Sequence, residues 1–580
     1  MPDEPRVRET TLRDRVQVLL SDGRAFDAPR GTPLHAVFRM AYADDNAPVA
    51  AIVDGELREL AWPVVRDIEA TPVRLSDSDG MRIYSRSLSF LLVVVASQLF
   101  PEAAVRIDYS VPQGGYFCLV ENREPFTSDE LYRIKTRMMQ LVREDRPIVR
   151  HRLSYEEVRA LFAARGEEAK ARQLLEREGD HLHLYSLDGV SDYFYGYMVP
   201  STGILRTFSL EPFPKGFILR FPRREDPTKL LPSRKFTALR EVFDEYGNWL
   251  SVLGMRDVGS LNEAIRDGRI EQVILVSEAL HEKRIAEIAA TLARKLRDGT
   301  RLVFIAGPSA SGKTTFSKRL AIQLLANGVH PFPLEMDDYF FPRDVLQDRF
   351  GAETDFDALS ALDVDRLRED LAKLLAGVPV ELPRYDFRTG KRACGATIRL
   401  DETQMLLVEG IHGLNPELSV DPSVAGQFRI FVSALTQLNL DMHNRVSTTD
   451  TRLIRRIVRD ALYRGYAAAG TLSLWDNVRR GEKENIFPHQ EGADIMFNSA
   501  LGYELSVLKP LVEPLLLQVR EPEWRIEAER LLALLRWFDP YHTENIPKNS
   551  ILREFIGGSN LHEFASTFKP TAGCAAEGAP

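Results

Sequence analysis

The sequence predicts a multidomain α/β protein whose C-terminal part is a doubly wound parallel sheet. Between residues 301 and 520, short apolar runs alternate with segments of helical periodicity, which is typical of such a sheet. A glycine-rich phosphate-binding pattern lies between one of these runs and the helical segment after it. The chain has 580 residues, 44% of them hydrophobic and 27% charged, which is enough apolar material for several cores.

Composition excludes several classes of protein. The formal net charge of −9 excludes a globally basic nucleic-acid-binding protein, although a local basic groove stays open. The three cysteines, Cys118, Cys394 and Cys574, are too few and too far apart for a disulfide framework or a cysteine-rich zinc site. The N-terminal segment lacks the apolar core of a secretory signal, and the longest apolar stretch, Leu88 to Ala96, is about half of a membrane span. We therefore expect a cytoplasmic protein with no membrane partner.

The patterns divide the chain into five parts. Apolar runs separated by turn signals such as Ser21-Asp22-Gly23 indicate a small β-rich first part. The next part mixes helix and strand patterns, and a proline-punctuated connector follows it. The expected divisions are 14–74 for the β-rich domain, 75–224 for an α+β domain, 225–300 for the connector, 301–520 for the parallel-sheet domain, and 521–580 for a C-terminal helix and tail.

The expected strands and the last helix of the connector follow from apolar periodicity. The connector helix places its apolar residues at spacings of three and four, which makes one buried face. Short apolar runs predict the strands of the parallel sheet. The face residues are Ile285, Ile288, Leu292 and Leu296, and the strands are Leu302 to Ala306, Met405 to Val408, Phe428 to Val432 and Ile495 to Phe497.

The segment from Gly307 to Thr314, GPSASGKT, matches the pattern GxxxxGK[ST] in full. Glycines let backbone N–H groups curl around a phosphate, and the N-terminus of the following helix adds positive potential. Lys313 is placed to reach the β- and γ-phosphates, and the Thr314 hydroxyl to bind Mg²⁺. The residues expected to bind ATP are Gly307, Ser309, Ala310, Ser311, Gly312, Lys313, Thr314 and Thr315.

Two acidic segments follow apolar runs. In Met336-Asp337-Asp338-Tyr339-Phe340, one of the two carboxylates could accept the proton of an attacking hydroxyl, and a solvated turn is the alternative. Glu409 ends the expected strand Met405 to Val408, where an acid reaches Mg²⁺ directly or through water, and an acidic strand cap is the alternative. Both positions are strand ends, which in a parallel sheet lie beside the phosphate site.

Five arginines cluster on one helical stretch. The spacing of Arg452, Arg456 and Arg459 places three guanidinium groups on one side, which suits a lid over transferring phosphates. A solvated charged face is the alternative. The other two arginines of the stretch are Arg455 and Arg464.

Residues 301–520 resemble the uridine kinase family of the phosphoribulokinase/uridine kinase group. Besides GPSASGKTT, the resemblance is carried by MDDYF, by Asp355-Phe356-Asp357, by LPRYDF (Leu382 to Phe387), by VEGIHGL and by RRIVRDALYRG. It implies an ATP- and Mg²⁺-dependent nucleoside kinase in which Asp337 is the general base, with Lys313 also catalytic. It further implies that Asp357 holds the ribose hydroxyls, that Tyr385 and Phe387 line the base pocket, and that Arg456 and Arg459 contact phosphates and acceptor.

The chain departs from the family pattern at base recognition. Ala358-Leu359 replaces the family's His-Pro, and Gly390 stands where the family places a base-contacting histidine. Tyr466 replaces the last arginine of the lid, and Leu474 aligns near a base-contacting glutamine. The phosphoryl-transfer residues are therefore expected to be retained and the choice of base to be looser.

The N-terminal half resembles the start of threonyl-tRNA synthetases. Residues 14–72 resemble their β-grasp-like TGS domain. The segments Leu99 to Phe117, Phe126 to Leu131 and Val199 to Leu210 resemble their editing-type domain. With the kinase, this arrangement resembles a bacterial group of large nucleoside kinase-like proteins.

The editing domain of those enzymes has four metal-ligand positions, an HxxxH pair and a CxxxH pair. These positions fall on Arg86, Phe90, Phe194 and Met198, which cannot form a water-activating metal site. We therefore expect no zinc and no editing chemistry there, with RNA binding, effector binding or structural support as the open roles.

Three functions are weighed on this basis. The first is an ATP-dependent kinase of a ribonucleoside 5′-hydroxyl, uridine- or cytidine-like. The second is a kinase of another small alcohol such as a phosphosugar. The third is a nucleotide-gated regulator whose N-terminal half binds RNA. A homo-oligomer is also expected.

Overall fold

The computed structural model describes residues 13–42, 47–167, 170, 174, 181–234, 236–351, 358–386, 389–421 and 425–561. The chain forms two compact units. The first comprises Met1–Arg234 together with Asn439–Arg445, and the second comprises Lys235–Leu438 together with Val446–Pro580.

The first unit begins with a small mixed sheet. Its strand order is β2-β1-β7-β4-β5, in which β1 and β7 are parallel and the other neighbours antiparallel. Alternate residues of β1 are buried, so one face of the sheet packs on helix α1. The elements are β1 (Arg15–Leu20), β2 (Ala25–Pro29), β3 (Thr32–Pro33), α1 (Leu34–Ala41), β4 (Ala50–Val53), β5 (Glu56–Glu59), β6 (Pro63–Val64) and β7 (Ile68–Val73).

The rest of the first unit surrounds the long buried helix α2 (Ser78–Leu99), which supplies much of a second core. An antiparallel sheet of order β13-β14-β9-β8 and a smaller sheet of order β10-β11-β12 complete it. The elements are β8 (Ala104–Ser110), β9 (Gly115–Glu121), α3 (Ser128–Arg143), β10 (Val149–Ser154), α4 (Tyr155–Ala163), β11 (His181–Leu187), β12 (Val190–Asp192), β13 (Ser209–Phe213) and β14 (Gly216–Arg220).

The segment Asn439–Arg445 belongs to the first unit although it lies in the C-terminal half of the sequence. The carbonyl of Met442 accepts a hydrogen bond from the Ile107 N–H at 2.8 Å. The Asn444 side chain accepts from the Tyr195 N–H at 2.7 Å and donates to the Tyr193 carbonyl at 3.1 Å. The first unit is therefore built from two distant parts of the chain.

The second unit is built on a five-stranded parallel sheet of order β16-β19-β15-β20-β21. A separate antiparallel hairpin, β17–β18, lies outside it. The elements are α5 (Thr237–Val252), α6 (Val258–Arg266), α7 (Ile270–Arg297), β15 (Thr300–Ala306), α8 (Lys313–Ala326), β16 (His330–Glu335), α9 (Arg343–Phe350), α10 (Val364–Leu375), β17 (Val380–Asp386), β18 (Lys391–Ile398), β19 (Gln404–Glu409), β20 (Gly426–Ser433), α11 (Thr448–Tyr463), α12 (Ala468–Asn485), β21 (Ile495–Asn498), α13 (Glu504–Leu516), α14 (Pro522–Leu535) and α15 (Arg553–Ile556).

Both faces of the parallel sheet are covered, as near-continuous apolar strands require. On one face α10 packs on the sheet, and on the other face α7 and α8 do so. The first face is formed by Leu302, Phe304, Leu406 and Val408 with Leu367, Leu371 and Leu374, and the second by Val303, Ile305 and Leu407 with Ile285, Ile288, Leu292, Phe316 and Leu320. The four strands predicted from apolar runs and the one-faced connector helix are thus confirmed.

The helices of the described ranges include none that combines the length and the apolar character of a membrane span.

Candidate active site

The phosphate-binding loop joins the central strand β15 to helix α8. Gly307 lies so close to the Val432 carbonyl oxygen that a Cβ there would collide with it. Gly312 has a φ of +85° and directly precedes the helix. Both glycines are therefore required by the close passage and the left-handed turn of the loop.

Lys313, Thr314 and Glu409 lie together at the carboxyl edge of the sheet. The Lys313 Nζ donates to the Pro308 carbonyl at 3.3 Å, so in this structure its ammonium bends over the loop. The Thr314 hydroxyl donates to the Glu409 Oε2 at 3.2 Å. Burial raises the pKa of Glu409 to about 7, and the nearby Lys313 opposes that rise. The carboxylate thus lies where a cation would stabilise its charge.

This donor set fits Mg²⁺. A hydroxyl and a carboxylate supply the oxygen ligands that Mg²⁺ prefers, and one or two such ligands are usual beside a nucleotide. Among the described residues, no cluster of three or more His, Cys, Asp or Glu is arranged to hold a metal by itself. Thr314 and Glu409 are the residues that would hold the ion.

Asp337 and Asp338 follow strand β16, which neighbours β19. Burial raises the pKa of Asp337, Asp338 adds to that rise, and Lys313 and Arg464 oppose it. Asp338 instead accepts a hydrogen bond from the Tyr385 N–H at 3.0 Å and so holds strand β17. The two carboxylates therefore have different surroundings, and Asp337 is the one near the phosphate-loop lysine.

The arginines of α11 divide into two groups. Arg452 and Arg455 are 1% and 0% exposed and form ion pairs with Glu482 and Glu504. Arg452 also donates to the Ser309 carbonyl at 2.9 Å. These two buried arginines therefore stabilise the loop through its backbone carbonyls and do not face the phosphate site. This differs from the sequence expectation, which grouped Arg452 with the residues above the phosphates.

Arg456 and Arg459 form the second group and share one counter-ion. The Arg456 Nη1 donates to the Ser309 hydroxyl at 2.8 Å. Asp460, which is buried, lies 3.3 Å from the Arg456 Nε, 2.9 Å from the Arg459 Nη2 and 3.7 Å from the Arg464 Nη1. One carboxylate thus fixes three guanidinium groups and leaves a net positive charge beside the loop. Nothing in the arginine pattern singled out Asp460.

Of the three residues expected to form the acceptor pocket, the structure describes Tyr385. Tyr385 is buried, and its ring centre lies 5.8 Å from that of Phe340. Asp357 and Phe387 lie outside the described residues. Their assigned roles stay predictions.

The side chain of Arg343 packs against Gly390, and the sequence did not predict this neighbour. The Gly390 backbone accepts a hydrogen bond from the Arg343 N–H at 2.9 Å, and a Cβ at Gly390 would collide with the Arg343 side chain. Arg343 also hydrogen-bonds the Tyr385 side chain. Leu474, the other departure, is 42% exposed.

In the first unit, the four residues at the positions aligned with metal ligands make packing contacts and one backbone hydrogen bond. The rings of Phe90 and Phe194 have centres 5.2 Å apart, and Met198 is buried in the same core. The Arg86 guanidinium donates to the Tyr197 carbonyl at 2.7 Å. These side chains offer no ligand set for zinc.

The loop, the strand-end acids and the arginine helix are the features of a P-loop kinase domain, and all three lie within the second unit. Residues 302–504 match the model of the Phosphoribulokinase / Uridine kinase family. Residues 302–504 therefore form a domain of that family, as the resemblance predicts.

The N-terminal region matches threonine–tRNA ligases. The ligase of Burkholderia vietnamiensis is 36% identical over 167 residues, which are 28% of this chain and 26% of the ligase. This chain thus spans 26% of that relative's length.

Two solved structures are similar to the kinase part. One, described as a fructose transport system kinase from Silicibacter sp. TM1040, is 20% identical with a TM-score of 0.27, and the match covers 36% of this chain and 98% of that one. The other, described as a possible uridine kinase from Bacillus stearothermophilus, is 21% identical with a TM-score of 0.23, covering 36% and 97%.

Proposed function

We propose that the protein transfers the γ-phosphate of ATP to the 5′-hydroxyl of a ribonucleoside, uridine- or cytidine-like. The observation that carries the proposal is a half-buried carboxylate, Asp337, near the lysine of a complete phosphate-binding loop. A phosphoryl acceptor needs such a base, whereas ATP hydrolysis alone needs only a positioned water.

In the proposed reaction Asp337 accepts the proton of the 5′-hydroxyl. The nucleoside oxygen then forms a bond to the γ-phosphorus, and the bond from that phosphorus to the β,γ-bridging oxygen breaks. Burial favours this role, because a raised pKa makes a carboxylate a stronger base. Lys313 keeps the carboxylate ionised enough to act.

The positive charges of the site would stabilise the transferring group. Lys313, whose Nζ contacts the Pro308 carbonyl in this structure, would extend toward the phosphates. Arg456 and Arg459, both held by Asp460, lie on the helix beside the loop. Mg²⁺ bound by Thr314 and Glu409 would neutralise charge on the phosphate oxygens.

Acceptor selection would come from the pocket around Tyr385. Stacking on an aromatic ring depends on area and tolerates any flat base. Asp357, by resemblance, would accept hydrogen bonds from both ribose hydroxyls, so ribonucleosides should be preferred over 2′-deoxyribonucleosides.

The test is a panel of uridine, cytidine, adenosine and deoxyuridine, compared by kcat/KM on one preparation of the full chain. Lys313→Ala should abolish turnover, because no other loop cation can span the β- and γ-phosphates. ATP-dependent formation of a nucleoside 5′-monophosphate supports the proposal. Equal rates for uridine and deoxyuridine would remove the role assigned to Asp357.

Arg343 favours a second candidate, a kinase of another small alcohol that carries an anionic group. Its side chain lies over Gly390 and hydrogen-bonds Tyr385. A guanidinium is therefore present beside the residue proposed to line the acceptor pocket. Guanidinium groups bind phosphate and carboxylate well. Arg343→Met should raise the KM of a phosphosugar at least tenfold if that candidate is right, and change nucleoside KM far less.

A third candidate is an RNA-binding regulator, favoured by the ligase-like N-terminal region. It differs from the kinases in that ATP turnover would need RNA rather than a small alcohol. We also propose a cytoplasmic setting, because three widely spaced cysteines suit a reducing compartment.

A further inference from the structure

The C-terminal segment 541–561, which contains helix α15, is firmly attached beside the phosphate-binding loop. Ile551, Leu552 and Phe555 are fully buried. The Ile551 side chain belongs to the core cluster that covers the phosphate-loop helix α8. The Arg455 guanidinium, which supports the loop, lies 4.9 Å from the centre of the Phe555 ring. The segment is therefore part of the wall of the nucleotide site.

One side chain of this segment contacts the loop helix directly. The Glu554 Oε2 accepts a hydrogen bond from the Thr315 N–H at 2.9 Å. Thr315 is the third residue of α8, so its N–H belongs to the first turn and has no acceptor within the helix. In a phosphate-binding loop these first-turn N–H groups are the ones that bind phosphate oxygens. The Glu554 carboxylate thus lies where a phosphate oxygen would bind.

The surroundings of Glu554 make this contact easy to displace. Within the part of the chain that the structure describes, no Lys or Arg is within ion-pair distance of Glu554. Its neighbour Arg553 donates instead to backbone carbonyls, including those of Thr543 and Gly557. The negative charge of Glu554 also contributes to the raised pKa of Glu409, so the carboxylate faces the same site.

We propose that Glu554 is an intramolecular competitor of the nucleotide, so that the C-terminal segment sets how tightly the loop binds ATP. The proposal rests on nucleotide binding by the loop, which is one part of the proposed function. It does not depend on which alcohol accepts the phosphate.

Competition of this kind follows from charge and position. A triphosphate at the loop would share the Thr315 N–H with a second anion, and the like charges would repel. Since Glu554 is half-buried while Ile551 and Phe555 are fixed in the core, its side chain can turn away without moving the segment. If the contact is formed in about nine molecules of ten, the apparent Kd of ATP is about tenfold higher than the intrinsic value.

The experiment measures MgATP binding to the full-length protein by calorimetry, with no acceptor present. Glu554→Ala and Glu554→Gln should each lower the apparent Kd of ATP by about tenfold. Adenosine, which has no phosphate, should bind all three proteins equally. The matched control is Glu544→Gln, which removes an exposed carboxylate from the same segment and should leave every Kd unchanged.

An unchanged or higher Kd of ATP in folded Glu554 variants would overturn the proposal, and a higher one would make Glu554 part of the binding site. A matching gain for adenosine would also overturn it, since the effect would then not involve phosphates. If wild type and variants all fail to bind ATP, this proposal and the nucleotide-binding part of the proposed function fail together. If they bind ATP but phosphorylate no nucleoside, only the acceptor assignment fails.

Discussion

At the scale of single residues, the two adjacent carboxylates Asp337 and Asp338 have separable tasks. Asp337 lies near Lys313, and burial raises its pKa. Asp338 bonds the backbone N–H of Tyr385. Asp337→Asn should therefore lower kcat by about 10² to 10⁴, the usual range for loss of a general base, and leave the Kd of ATP near its wild-type value. Steady-state kinetics with calorimetry of ATP binding measure both quantities.

Asp338→Asn is the matched control for that prediction. It weakens one hydrogen bond to β17, so we expect a higher KM for the acceptor and a much smaller change in kcat. The reverse pattern, with Asp338→Asn inactive and Asp337→Asn normal, would transfer the role of general base to Asp338.

A buried histidine should make the second unit sensitive to acid. His281 on α7 is 2% exposed, and its ring centre lies 5.2 Å from that of Phe497. Burial lowers its pKa to about 3, and Arg319 and Arg455 add to that effect. The unfolded chain binds a proton near pH 6.5 and the folded one does not, so stability is lost as the pH falls below 6.5.

His281→Leu should remove that dependence. The free energy of unfolding of the wild type, relative to the variant, should fall by about 2 kcal/mol between pH 8 and pH 5. Urea unfolding at several pH values gives this difference, and His542→Leu, at an exposed histidine, should show none. A pH-independent difference for His281→Leu would mean that His281 is protonated or solvated in the folded protein.

At the scale of elements, helix α11 has two functions. Some of its arginines stabilise the phosphate-binding loop, and others place positive charge beside it. Asp460 holds Arg456, Arg459 and Arg464. Asp460→Asn should leave these guanidinium groups without their shared counter-ion and displace them from the phosphates. We expect kcat to fall about tenfold to a hundredfold, as for a small misplacement of charged groups, with little change in acceptor KM.

Asp450 on the same helix provides the control. Its carboxylate pairs with Arg530 at 2.7 and 2.8 Å, away from the loop. Asp450→Asn should lower the melting temperature and leave kcat unchanged. A double-mutant cycle of Asp460→Asn with Arg459→Gln should be non-additive in kcat. Equal effects of Asp450→Asn and Asp460→Asn on kcat would reduce Asp460 to a stabilising residue.

Elements with a strong local signal could be predicted from the sequence. The phosphate-binding loop, the strand ending at Glu409 and the apolar face of α7 are each specified within a few residues, and the structure confirms them. The distinction between Arg452 and Arg456 could not be predicted, because both have the same helical spacing. Burial against Glu482 separates them, and that glutamate lies on another helix.

At the scale of the whole molecule, contacts between distant parts of the chain are what the sequence does not reveal. Glu554 lies 239 positions beyond Thr315, and no local pattern links the two. The segment Asn439–Arg445 likewise joins the first unit, although it lies between β20 and α11 of the second. Such contacts depend on the folded path of the chain rather than on periodicity.

The membership of Asn444 in the first unit predicts which backbone amides will exchange faster in the Asn444→Ala variant. The Asn444 side chain accepts from the Tyr195 N–H and donates to the Tyr193 carbonyl and to Asp441, so Asn444→Ala leaves several buried groups unpaired. Such a loss costs about 1 to 3 kcal/mol of local stability, which corresponds to amide exchange faster by about fivefold to 150-fold. Hydrogen exchange followed by mass spectrometry should show the acceleration at residues 104–110 and 193–195.

The matched control is Asn498→Ala in the second unit. Asn498 also bonds backbone groups in both directions, accepting from the Leu435 N–H at 2.8 Å and donating to the Leu435 carbonyl at 3.0 Å. Its loss should accelerate exchange around residues 433–436 and 499–501 and leave the first unit unchanged. Because both substitutions lie in the C-terminal half of the sequence, opposite exchange patterns would show that unit membership, not position in the chain, decides which region is destabilised. Faster exchange confined to the second unit for Asn444→Ala would contradict the assignment of Asn439–Arg445 to the first unit.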